Sequence, residues 1–91
     1  MQQGFYLTVT GQVQGVGYRH WFAEQARRLE ITGYVKNLSD GQVEAKIYGE
    51  HRKLQQLLEQ SMQGPIQAKV TKLLYQSLDD RPSDQFQIAY D

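Results

Sequence analysis

Cysteine is absent from the chain, which excludes disulfides, thiol nucleophiles and thiolate metal sites and fits a cytoplasmic location. No apolar run approaches the ~20 residues of a membrane-spanning helix. The opening "MQQGFYLTVT" has neither the basic nor the apolar region of a signal peptide, so no membrane partner is expected. An excess charge of either sign is missing too: ten Lys and Arg balance ten Asp and Glu. The molecule as a whole therefore has no field to draw in a polyanion, no nucleic-acid partner is expected, and any anion site must be local. With two prolines, the chain has few rigid stops; one of them, Pro65, follows Gly64 and marks the end of a helix.

What is present is an ordinary globular composition, 40% hydrophobic and 22% charged. A chain of 91 residues reads as one domain over its whole length, 1–91. Such a domain buries roughly 60 to 65 % of its unfolded surface and folds alone, and a monomer is expected. Phe5, Leu7, Val9 and Val13 alternate with Tyr6, Thr8, Thr10 and Gln12, the pattern of a half-buried strand. From about Tyr18 the period lengthens. Phe22, Ala26 and Leu29 share a face turned away from Glu24, Arg27 and Arg28, which predicts a helix ending near Glu30.

Two β-rich runs in "GYVKNLSDGQVEAKIYG" flank Asp40-Gly41, a strong hairpin signal. A second helix is predicted from about His51, with Leu54, Leu57, Leu58 and Met62 on its apolar face. A strand from about Ala68 to Ser77 follows. The polar turn "LDDRPSD" then leads to a short last strand carrying Phe86, Ile88 and Tyr90. The order predicts an α+β, ferredoxin-like split βαβ sandwich, with two helices on one face of a mostly antiparallel sheet.

The stretch "GQVQGVGYRH", residues 11 to 20, joins the first strand to the first helix. Three glycines in seven residues call for a backbone that other residues resist. Loop N–H groups and the orphan N–H groups of the helix start converge in such a bend and form a ready phosphate site. Arg19 adds a planar, permanently charged fork for two phosphate oxygens. A glycine-rich turn followed by a surface arginine is the plainer alternative. Charge placement favours the anion site: a helix start attracts Asp or Glu, yet this one carries Arg19 and His20, and the first acid is Glu24.

Asn37 is a poor strand residue in a strand-like run. It either eases the chain into the turn or uses its amide to hold a water or a substrate oxygen. His20 has no carboxylate in adjacent sequence to orient it as a base, and His51 has no sequence neighbour that would give it a role. Trp21 and Phe22 read as core or rim packing. Asp79, Asp80 and Asp84 near Pro82 read as a solvated turn, not as metal ligands.

"GQVQGVGYR" together with "GYVKNLSDGQVEAKIYG" resembles the two signature motifs of the acylphosphatase family, at the family's usual separation. The likeness runs from Phe5 to Tyr90 and takes in the Gly-Pro after the second helix. It implies hydrolysis of an acyl phosphate to a carboxylate and inorganic phosphate, the latter both product and competitive inhibitor, with no metal or cofactor. It also implies that the loop of Gln14, Gly15, Val16, Gly17, Tyr18 and Arg19 binds the phosphate, that Arg19 is essential, and that Asn37 positions the attacking water. Tyr18 stands where phenylalanine is frequent in the family, and Glu30 where many members have glycine. A carboxylate leaves without a general acid, because its conjugate acid has a pKa of roughly 4. The competing readings are a phosphate- or carbamoyl-phosphate-binding module without turnover, and an RNA-binding domain of the same fold. "TGYVKNL" holds only fragments of the aromatic motif that the RNA reading needs.

Overall fold

A computed structural model describes residues 2–79 and 84–89 of the chain. Its elements run β1 (Gln2–Gln12), α1 (Tyr18–Arg28), β2 (Thr32–Asn37), β3 (Val43–Glu50), α2 (His51–Gln63), β4 (Lys69–Leu78) and β5 (Phe86–Ala89). The five strands form one sheet in the order β4-β1-β3-β2-β5. β1 lies between β3 and β4 and is antiparallel to both; β2 is antiparallel to β3 and parallel to β5. This is the α+β arrangement expected. Tyr90, expected in the last strand, and Asp80 and Pro82, expected in the turn before it, lie outside the described residues.

The core follows from the two periodicities. Phe5, Leu7 and Val9 of β1, Val35 of β2, and Val43, Ala45 and Ile47 of β3 are buried on one side of the sheet. Against them lie Phe22, Ala23 and Ala26 of α1 and Leu54, Leu57 and Leu58 of α2. Both helices thus cover one face, and the amphipathic stripes read from the sequence are the ones buried. At ~1.5–3 kcal/mol for each large apolar side chain removed from water, this layer supplies the main drive to fold. A register shift between Thr10 and Gly11 bends β1 just before the glycine loop, a rim position where bulges re-aim the chain.

One expected core residue differs. Met62 is half exposed, at 51%, and Ser61 is fully buried in its place. Helical spacing explains the exchange, because position 61 continues the buried stripe of Leu54, Leu57 and Leu58 at i+7 from Leu54. The Tyr18 hydroxyl donates to the Ser61 carbonyl at 2.8 Å. The Ser61 hydroxyl, turned inward, donates to the Leu57 carbonyl at 2.7 Å. Burial without an unsatisfied oxygen is therefore possible for the serine.

Candidate functional site

Between β1 and α1 the chain turns through Gly15 at φ 75° and Gly17 at φ 81°, both in the left-handed region where a Cβ is strained. A Cβ at either position would meet no atom within 4 Å. The glycines are therefore required by backbone shape and not by crowding. Val16, between them, packs against the core and holds the loop down.

Gly17 is also the N-cap of α1; it supplies no capping side chain, and the first turn holds no acidic residue. The helical ladder opens with the Trp21 N–H donating to the Gly17 carbonyl at 3.0 Å. The N–H groups of Tyr18, Arg19 and His20 precede that bond and have no intrahelical acceptor. Together with the helix dipole they make this end electropositive. Arg19 is the second residue of α1 and is half-buried, while His20 is exposed. His51, at the start of α2, faces Gln3, with His51 Nδ1 2.5 Å from Gln3 Oε1.

The Tyr18 side chain does not line the loop. It is 1% exposed, and burial pushes its hydroxyl well above the usual tyrosine range. The ring anchors the start of α1 on the end of α2, and a Cβ on Gly64 would approach Tyr18 Cε2 to 3.0 Å. The residue four beyond Ser61 is Pro65, which has no N–H, so the tyrosine hydroxyl takes the role of the missing helical donor to the Ser61 carbonyl.

Gln14 connects the loop to the β2–β3 hairpin. Its Nε2 donates to the carbonyls of Leu38 and Gln42, each at 2.8 Å. Asn37, the last residue of β2, immediately precedes Leu38 and pairs with Val43. The two features singled out in the sequence, the glycine loop and Asn37, are thereby brought to one end of the sheet. The Asn37 Oδ1 is buried and accepts no hydrogen bond among the described residues. A buried acceptor left so is costly, of order 1–3 kcal/mol, unless a bound group satisfies it.

Sequence reasoning missed the Gln14 side chain, the anchoring role of Tyr18 and the inward turn of Ser61. Pro65 was the available signal for the Tyr18 anchor, since it removes the donor that the position 61 carbonyl would otherwise meet, and the i+7 spacing from Leu54 was the signal for Ser61.

A ferredoxin-like sandwich with a twin-glycine loop at a bare helix start and an asparagine held beside it defines a class of small α+β proteins. The acylphosphatase family model matches residues 5–88. An acylphosphatase of Burkholderia ambifaria is 40% identical over 84 residues, 91% of this chain and 86% of its own. One of Alcanivorax borkumensis is 44% identical over 69 residues, 76% of this chain and 75% of its own. The solved acylphosphatase of Coxiella burnetii superposes with a TM-score of 0.93 at 34% identity, covering 97% of this chain and 93% of that one. The chain belongs to the acylphosphatase family of hydrolases.

Proposed function

We propose that the protein hydrolyses acyl phosphates, R–CO–O–PO₃²⁻, by direct attack of water, with the loop from Gln14 to Arg19 holding the phosphoryl group and Asn37 holding the water. The buried Oδ1 of Asn37, with no hydrogen-bond partner among the described residues, carries this reading. Accepting a hydrogen bond from a water satisfies that oxygen and leaves a water lone pair free to attack phosphorus. The loop and helix-start N–H groups and Arg19 stabilise the phosphoryl oxygens as charge builds on them. The bond from phosphorus to the acyl oxygen breaks, its electron pair leaves on the carboxylate, and the water's proton passes to a phosphoryl oxygen. The leaving carboxylate needs no general acid. Positioning and charge stabilisation suffice.

On the other face of the sheet, two tyrosines are tied to one carboxylate. Tyr6 and Tyr34 both donate their hydroxyls to the Glu44 carboxylate, each at 2.8 Å. Glu44 pairs across the strands with Lys36, so the charge of this face does not decide between partners; the formal net charge of zero disfavours a nucleic acid. Inorganic phosphate is then both product and competitive inhibitor, and the enzyme acts as a cytoplasmic monomer. No helix among the described residues is long and apolar enough to cross a membrane.

Phosphate release from acetyl phosphate tests the reading. Turnover is expected in the wild type. In Asn37→Ala, kcat is expected to fall about a hundredfold or more, with the inhibition constant for phosphate nearly unchanged. A wild type without turnover contradicts the hydrolase reading. Lost phosphate affinity with kcat intact reassigns Asn37 to binding.

A further inference from the structure

We infer that Gln14 is a positioning residue whose side chain sets the glycine loop and Asn37 at their working separation, an inference that rests on the proposed hydrolysis. The amide has two N–H groups, and both are used, one on Leu38 and one on Gln42. These carbonyls sit at the root of the hairpin. The Leu38 N–H donates to the Gln42 carbonyl at 2.8 Å, and the Gly41 N–H to the Leu38 carbonyl at 3.2 Å. Each carbonyl thus accepts one bond from the turn itself and one from Gln14, which fills its two lone pairs.

Adjacency makes this clamp matter. The backbone of Gln14 leads directly into Gly15, the first left-handed residue of the loop. Leu38 follows directly on Asn37, whose Oδ1 is buried without a partner among the described residues. One side chain therefore fixes the two halves of the site within a residue of each. The hairpin turn closes on itself through its own bonds, including the Gln42 N–H to Asp40 Oδ1 at 3.0 Å. Removing the clamp frees the turn from Leu38 to Gln42 to shift against the loop, while β3 stays paired to β1. Phosphate is held within the loop and helix start, so its binding does not pass through the hairpin. The path of the water to phosphorus does. A misplacement of about 1 Å between reacting groups costs on the order of a hundredfold in rate.

Gln14→Met keeps the length of the side chain and removes both donors. The expected result is a fall in kcat for acetyl phosphate of about tenfold to a hundredfold, with the inhibition constant for inorganic phosphate within a factor of ~3 of wild type. Residues that act as a unit give non-additive losses. In an Asn37→Ala background, Gln14→Met is therefore expected to cost nothing further in kcat. Circular dichroism and Tm establish that each variant is folded; should Gln14→Met not fold, Gln14→Asn, whose amide is one methylene too short to reach both carbonyls, takes its place. An unchanged kcat overturns the clamp, as do equal losses with and without Asn37, or a fall in phosphate affinity matching the fall in kcat. If the wild type itself releases no phosphate, the hydrolytic reading fails and the inference falls with it. A wild type that turns over beside an equally active Gln14→Met removes the inference alone.

Discussion

Arg19 stands where a cation is least welcome, in a first helical turn that holds no acidic residue. The cost is offset when an anion sits at the same end, and a guanidinium offers that anion a fork that an ammonium cannot copy. Arg19→Ala is expected to keep the fold and lose two to three decades of acyl-phosphate turnover, about 2.7–4 kcal/mol of transition-state stabilisation. Arg19→Lys is expected to lose most of it as well; near wild-type rates with lysine would exclude a bidentate role. Tyr18, the next residue back, has the opposite character. Its hydroxyl serves the Ser61 carbonyl, 2.8 Å away and buried. Tyr18→Phe leaves that carbonyl without a donor and is expected to destabilise by about 1–3 kcal/mol while kcat stays the same. Urea unfolding alongside steady-state kinetics separates the two effects, and a loss of turnover without a loss of stability would place the ring in the site.

At the scale of the element, α1 shows how a helix end departs from its ideal. The sequence predicts a stop near Glu30; the helix ends at Arg28, with Leu29 as C-cap. Glu30 then takes φ 61°, the only non-glycine residue at positive φ among those described. The Ile31 N–H reaches back to the Ala26 carbonyl at 2.8 Å and the Glu30 N–H to Arg27 at 3.1 Å, a cap that favours glycine at the left-handed position. Glu30 is partly repaid by Lys53, whose ammonium lies 2.6 Å from its carboxylate. The hydrogen bond from Lys53 holds the carboxyl below its ordinary range, so this contribution is present above that range and fades as pH falls through it. The pair is exposed and screened, and such pairs contribute little. Removing the Cβ strain is the larger effect, and Glu30→Gly is expected to raise Tm at neutral pH. A lower Tm would mean that the ion pair outweighs the strain.

For the whole molecule, a formal net charge of zero means that no long-range field gathers phosphate, and the binding proposed above rests on local groups of the loop. Inorganic phosphate is expected to stabilise the folded chain by RT ln(1 + [L]/Kd), about 2.7 kcal/mol at a hundredfold excess over Kd. For a domain of this size that is a rise in Tm of about 10 °C or more, at 4–8 °C per kcal/mol. Chloride at matched ionic strength is the control for screening. Arg19→Ala is expected to lose most of the rise. Equal melting temperatures in phosphate and chloride would reduce the loop to a turn; a phosphate-specific rise that survives in Arg19→Ala would credit the glycines instead of the arginine.

The elements, their faces and the glycine loop were legible in the sequence because each is a local matter. Alternation in Phe5, Leu7 and Val9 reports one buried face, and Gly15 and Gly17 report a backbone turn that other residues resist. The placement of the sheet's edges was not legible. β5 lies parallel beside β2, and nothing in four residues of alternating pattern selects that neighbour over another. The contacts that assemble the site were equally hidden. Gln14 meets hairpin carbonyls 24 and 28 residues away, and Tyr18 meets Ser61 across 43. Composition and periodicity tell which side of an element is buried; the partner it meets there depends on how all the elements pack at once. The sequence by itself determined the strand and helix pattern, the bend at the loop and the cation beside it. Only the tertiary structure decided that Asn37 stands next to that loop with its oxygen buried, because the hydrogen bonds that bring them together join segments the chain keeps far apart.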